Sequence, residues 1–378
     1  MRALGVYLHI PFCRSKCRYC DFTSFAGQEE LMASYVAALI KEIKLQSAVL
    51  SDYVVDTIFF GGGTPTLVGA AMVHEILETL ARYYRIDPQA EITVEGNPAT
   101  VEQREPALLR RAGVNRFSLG AQSFNEKLLR VLGRIHNSDD VLRTYENLRS
   151  AGFANINLDL IYGVPYQTHA AWLADLQKAI LLKPEHLSLY GLQLEEGTPL
   201  ERDVVQGRLS EPDEDETARM YISADALAVE SGYHHYEISN FAMPGRECRH
   251  NLKYWHYQPY IGFGCAAHSF VAGVRTANVA SLADYLERMA KGQTAAIAQE
   301  HICGSEEISE YAMLAFRTSK GVNEAEFRRR FGTELNLMMP KVEDFLHEGL
   351  LVRENGAVRM TPKAWQISNF ILARILPD

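Results

Sequence analysis

From Gly5 to Leu192 the chain alternates short apolar runs with longer amphipathic stretches. The short runs are Gly5–Pro11, Val55–Phe60, Glu91–Glu95, Arg116–Leu119, Asn155–Ile161 and His186–Leu192, and they predict strands. Runs such as TIFF, NINLDLIY and HLSLYGL are too apolar to alternate, the pattern of strands covered on both faces. Between them, Glu30–Ser47, Ala70–Tyr84, Asp139–Ala151 and Ala170–Leu182 carry the helical period, and glycines in RRAGVNRF and RSAGFANI mark helix ends. Six β/α units in a row imply a parallel sheet, either doubly wound or a partial barrel. Both place chemistry beyond the C-terminal strand ends. The unusual residues gather there: cysteines after the first strand, GGGTPT after the second, Glu95-Gly-Asn-Pro after the third and Gly120-Ala-Gln-Ser after the fourth. Asp159 lies in the fifth strand and Gln193 ends the sixth. One rim predicts one site.

Beyond Arg202 the rhythm changes. Pro212–Ser231 reads as an acidic-capped helix, and residues 236–276 read as irregular, rich in aromatics, glycine and histidine. Residues 305–378 give helical runs, a hairpin turning at Asn355-Gly356 and a closing helix, a winged-helix-like order. The expected divisions are therefore 1–236, 237–304 and 305–378.

Composition narrows the function. The chain has 378 residues, 47% hydrophobic and 22% charged, which suits a sizeable core. No apolar run reaches the ~18 residues of a membrane span, and MRALGVYLHIPF reads as a strand rather than a signal peptide. A net charge of −9 argues against nucleic-acid binding. Arg328-Arg329-Arg330 does not reverse this, because residues 305–378 hold ten Lys/Arg against eleven Asp/Glu. Six cysteines in so long a chain do not make a disulfide framework; reduced thiols in the cytoplasm fit better.

Half of those cysteines, Cys13, Cys17 and Cys20, crowd one loop as Cys-x3-Cys-x2-Cys. The spacing admits zinc, with His9 as a fourth ligand, or an iron–sulfur cluster. His9 lies in the predicted strand, which carries it away from the loop, and Cys248, Cys265 and Cys303 are remote in sequence. Three thiolates on a cluster leave one iron open to a small molecule. That is a seat a fourth would close.

This spacing, with Tyr19 before the last cysteine, resembles the radical S-adenosylmethionine (SAM) superfamily. The resemblance implies a [4Fe-4S] cluster on Cys13, Cys17 and Cys20, whose open iron chelates SAM and whose electron cleaves it to a 5′-deoxyadenosyl radical. It also implies a fold: α/β, a partial (β/α)6 TIM-type barrel with the winged-helix-like module at its C-terminal end. VYLHIPFC, FFGGGTPT, RFSLGAQSFN, LGRIH, LDLIYGVPYQT and HNLKYW are together similar to the HemN/HemW branch. By that branch's pattern Tyr7, Tyr19, Gly62, Gly63, Thr64, Glu95, Gln122, Arg134 and Asp159 are the expected SAM positions.

The branch contains coproporphyrinogen III dehydrogenases and haem chaperones. The former continue the cysteine motif to a fourth cysteine, where this chain has Phe22, and carry a long N-terminal arm, where only twelve residues precede Cys13. His250-Asn251-Leu252-Lys253-Tyr254-Trp255 matches the HNxxYW signature of the chaperones. The resemblance thus implies a haem carrier serving haem-accepting proteins, with oxidative decarboxylation of coproporphyrinogen III as the alternative. A neutral imidazole suits haem iron, so His250 is the expected ligand, flanked by Tyr254 and Trp255. Cys248, His234, His235, His256 and His268 compete for that role.

Overall fold

The computed structural model describes residues 1–98, 100–101 and 103–376. Six strands, β1 (Arg2–Ile10), β2 (Tyr53–Gly62), β3 (Ile86–Gly96), β4 (Arg116–Gln122), β5 (Ile156–Tyr162) and β6 (His186–Gly191), pair in parallel in chain order. An order that never reverses is that of a singly wound barrel and removes the doubly wound alternative. The covering helices are α1 (Met32–Gln46), α2 (Gly69–Tyr83), α3 (Glu105–Arg111), α4 (Glu126–Leu132), α5 (Ser138–Ser150), α6 (His169–Leu181), α7 (Pro199–Val205) and α8 (Glu214–Glu230). Side-chain oxygens stop their N-termini: Asn137 caps α5 in a reciprocal box with Asp140, Thr168 caps α6 and Asp213 caps α8.

The stretch read as irregular is not. It carries β7 (His234–Glu237) and β8 (Asn240–Ala242), which extend the sheet antiparallel beyond β6, and the helix α9 (Arg249–Trp255). It then returns to the opposite edge. There β9 (Tyr260–Phe263) pairs parallel with β1, followed by antiparallel β10 (His268–Val271), β11 (Val274–Asn278) and β12 (Ala296–His301). One sheet of twelve strands therefore runs through both regions. The strands were missed because most are three to five residues long and pair with partners far away in sequence.

A first core fills the space between the parallel strands and their helices, with Leu4, Val6, Leu8, Ile58, Phe60, Phe117, Leu158 and Trp172 all buried. A second core gathers the C-terminal elements: α11 (Gly304–Ala315, after α10 at Leu282–Ala290), α12 (Glu324–Phe331), and a sheet of β13 (Val322–Asn323), β14 (Leu351–Glu354) and β15 (Ala357–Met360). Its hairpin turns at Asn355-Gly356, both with positive φ. Tyr257 and Phe270, from the preceding region, are packed into this second core.

Candidate functional site

The cysteine loop leaves the C-terminal end of β1 and is fastened at three places. Phe25 N–H donates to the Pro11 carbonyl at 2.7 Å. Arg18 N–H donates to Leu132 at the end of α4 (3.1 Å), and its carbonyl accepts from Leu200 N–H in α7 (2.8 Å). Gly63 and Thr64 N–H donate to the carbonyls of Ile10 and Phe12 at 2.9 and 2.8 Å. The glycine run is thus a clamp for the root of the cysteine loop as well as a turn. Gly62 has φ 108°, and a Cβ there would meet the His9 ring at 2.5 Å; one on Gly63 would meet the Phe12 carbonyl at 2.6 Å. No larger residue fits.

Cys13, Cys17 and Cys20 line a cavity of about 480 Å3 together with Tyr19, Gly62, Gly63, Glu95, Gln122, Arg134 and Asp159. Thr64 stands behind Cys13, its Oγ1 3.6 Å from the sulfur, and Tyr7 lies below the cavity, its hydroxyl 3.0 Å from His9 Nδ1. His9 Nε2 is 2.9 Å from the Thr23 carbonyl, so both its nitrogens are engaged within the protein. This leaves it no role as a fourth zinc ligand. Arg134 bridges the rim: Nη1 donates to Cys17 Sγ at 3.1 Å, and Nη2 donates to the Gly120 carbonyl at 2.9 Å and to Asn97.

The cavity holds two buried carboxylates. Burial first, and Asp159 second, push Glu95 up to about 8. Asp159 is raised by burial against the hydrogen bonds it accepts, from Asn157 Nδ2 at 2.7 Å and Ser118 Oγ at 3.3 Å among them. Gln122 is left-handed (φ 65°) where the β4–β5 register slips after Leu119, a bulge that turns its side chain toward the cavity. Two residues were missed. Asn97 donates to Thr64 Oγ1 at 2.9 Å and accepts from Arg134, and Arg116 is fully buried among Glu91, Cys248 and Asp159. An arginine inside RFSLGAQ was the available signal for the second; nothing distinguished Asn97 from a turn residue.

The HNLKYW helix docks elsewhere, toward the N-terminal strand ends. Glu91 of β3 accepts from the backbone N–H of Arg249 and His250 at 3.3 and 3.2 Å, and Cys248 Sγ is 3.7 Å away, so its carboxylate caps α9. Lys253 is buried and paired to Asp56 at 2.7 Å. His250 is 1% exposed; its Nδ1 is 2.8 Å from Thr57 Oγ1 and its Nε2 is 2.9 Å from the Tyr254 hydroxyl. Burial first, then Lys253 and Arg116, lower it to about 3. The expected ligand therefore has no free nitrogen. Thr57 is five residues before Gly62 on β2, or ~16 Å at a strand rise of ~3.3 Å, so His250 lies about halfway down the barrel from the cysteine rim. Rings fill the interval: Tyr254 meets His250 edge-on at 5.2 Å, His250 stacks on Phe59 at 5.2 Å, Phe59 on Tyr7 at 6.4 Å, and Tyr7 leans on His9 at 5.9 Å.

The competing ligands divide clearly. Cys248 is buried and raised by burial to about 12, and Cys265 is buried against the Tyr35 hydroxyl at 3.9 Å. His235 is sandwiched between Phe241 and Trp365 and bound to Asp225. His234, His268 and Cys303 are exposed. Trp255 is half-buried. His256 lines a second cavity of about 890 Å3, between the N-terminal edge of the sheet and the C-terminal module. The arginine triplet beside that module is neutralised by ion pairs of Arg328 with Glu334, Arg329 with Glu326 and Arg330 with Glu307.

Comparison with known proteins places these features. The radical SAM superfamily profile matches residues 7–179, and the HemN C-terminal domain profile matches residues 304–367. The heme chaperone HemW of Bacillus subtilis is 34% identical over 99% of this chain and 99% of its own. That of Escherichia coli is 35% identical over 92% of this chain and 91% of its own. Among solved structures, the coproporphyrinogen III oxidase HemN of Escherichia coli, titled a radical SAM enzyme, superposes with a TM-score of 0.87 at 22% identity. The superposition covers 99% of this chain and 90% of that one, and shows that the fold is shared.

Proposed function

The chain belongs to the HemW family of the radical SAM superfamily, and from that premise we propose that it binds haem and delivers it to acceptor proteins. The observation that carries this is the near-complete, end-to-end match to the Bacillus subtilis heme chaperone. Phe22, 64% exposed where the porphyrinogen-oxidising branch has another cysteine, supports carriage over oxidative decarboxylation. The thiols of Cys13, Cys17 and Cys20 are free, and a protein that must keep them reduced belongs in the cytoplasm. No described helix is long and apolar enough to cross a membrane.

Superfamily membership implies a [4Fe-4S] cluster and SAM, and the residues fit both. Cys13, Cys17 and Cys20 share one cavity wall, close enough that Cys17 and Cys13 add to the burial that raises Cys20. Glu95 and Asp159 oppose each other's ionisation, and a cationic sulfonium or ammonium relieves that conflict. When bound, the cluster supplies a low-potential electron and an open iron. Arg134 and Thr64 would steady the cluster sulfurs, and Tyr19, Gln122, Gly62 and Gly63 would line the space beside them.

The test is anaerobic reconstitution followed by titration with haem and a transfer assay to an apo-haemoprotein, in parallel with incubation of SAM, reductant and coproporphyrinogen III. Haem binding with transfer and no porphyrinogen turnover is expected. Turnover without haem binding overturns the proposal.

A further inference from the structure

We propose that haem occupies the cavity of about 890 Å3 at the N-terminal edge of the sheet, with its iron on His256 rather than His250. The inference rests on the haem-carrier reading above and gives it a place. The cavity has the size of a small-molecule site and nearly twice the volume of the one beside the cysteines. His256 is the one histidine among its lining residues. Among the described residues its ring makes no hydrogen bond or ion pair, whereas both nitrogens of His250 are taken. Burial first, then Lys320, lower the His256 pKa, so the imidazole is neutral and able to bind iron at physiological pH.

The turn that presents His256 is built at a cost. Helix α9 ends in a paired closure: Gln258 N–H donates to the Lys253 carbonyl at 2.8 Å and Tyr257 N–H to Tyr254 at 3.0 Å. Such a closure wants glycine at its left-handed position, and here Tyr257 stands there with φ 53°. Its ring is 5% exposed and its hydroxyl has no partner. The strained turn sets the unbonded imidazole of His256 at the cavity wall. Phe270 (4.6 Å) and Tyr311 (6.3 Å) pack on the Tyr257 ring in the second core and line the cavity with it. Arg2 and Lys320 line the same cavity, are exposed, and have no ion pair among the described residues. They are suited to two propionates. Glu307, Glu326 and Glu354 also line it, each paired with an arginine: Arg330, Arg329 and Arg359 in turn.

The experiment titrates ferric haem into the reconstituted full chain and follows the Soret band and affinity for the wild type, His256→Ala, His256→Met and Lys320→Glu, each checked for folding by circular dichroism. Expected are a shifted Soret band with at least tenfold weaker binding for His256→Ala, a distinct axial-ligand spectrum for His256→Met, and weaker binding with an unchanged band for Lys320→Glu. Wild-type spectra and affinity for folded His256→Ala overturn the site. If neither His256 variant folds, wild-type affinity in Lys320→Glu overturns it, and reduced affinity upholds it. A wild-type chain that binds no haem at all defeats the carrier reading instead, so the two failures are told apart.

Discussion

The two ends of the barrel are built from opposite materials. At the C-terminal strand ends the walls are thiols, glycines and two crowded carboxylates, and backbone hydrogen bonds sew the loops together. At the N-terminal ends the walls are aromatic rings, a neutral histidine and unpaired surface cations. The first suits a small cationic ligand beside a metal cluster; the second suits a large flat anion. The contrast separates chemistry from cargo within one chain, and it can be broken by experiment.

The largest effect is expected from the cysteines. Cys17→Ala removes a cluster thiol and the partner of Arg134, and iron and sulfide analysis of the anaerobically reconstituted protein should show the cluster lost. Haem affinity should stay near wild type; its loss in a folded variant would show that the ends are not separate. Next come the acids. Asp159→Asn and Glu95→Gln should weaken SAM binding ~10–100-fold, the worth of a charge-assisted contact, measured by calorimetry, with haem titration unchanged.

The third prediction concerns pH. Glu95 is raised to about 8, so it holds a proton at neutrality that a cationic ligand must displace. SAM affinity should rise as pH climbs through that value and level off above it, and Glu95→Gln should flatten the profile. The stability sign runs the other way. Glu95 and Glu237, both near 8, and Glu42, near 7, bind protons more tightly folded than unfolded. Their contribution is complete below about pH 4.5 and is lost as pH rises through 7 to 8, which lowers the melting temperature of the apoprotein in that window. A melting temperature that rises across pH 6 to 9 would refute the assignment. The smallest effect is expected from Glu91→Gln. It weakens the cap on α9 by ~1 kcal/mol, and thermal melts should show a modest drop, with haem affinity changed more than SAM affinity.

Much of the upper site was legible in sequence because it is local. Cysteine spacing, the glycine run and polar residues at the ends of apolar strands all sit within a few residues of the features that announce them. The β/α rhythm was equally plain, since each unit buries its own apolar stripe. The lower end was not. The strand Tyr260–Phe263 pairs with β1 across some 250 residues of chain, and no local pattern carries that. A histidine among aromatics reads the same in sequence whether its nitrogens are free or bonded, and those of His250 are bonded. Its partners Thr57 and Tyr254 come from a strand and from its own helix, and only the fold brings the former near. Arg116 could have been suspected, because an arginine in an apolar strand needs anions around it.

The rings that run from Tyr254 through His250, Phe59 and Tyr7 to His9 end against Gly62. They form a solid post rather than a pipe. Such a post is packed like the rest of the interior, so the cysteine end of the barrel stands on a column of touching rings.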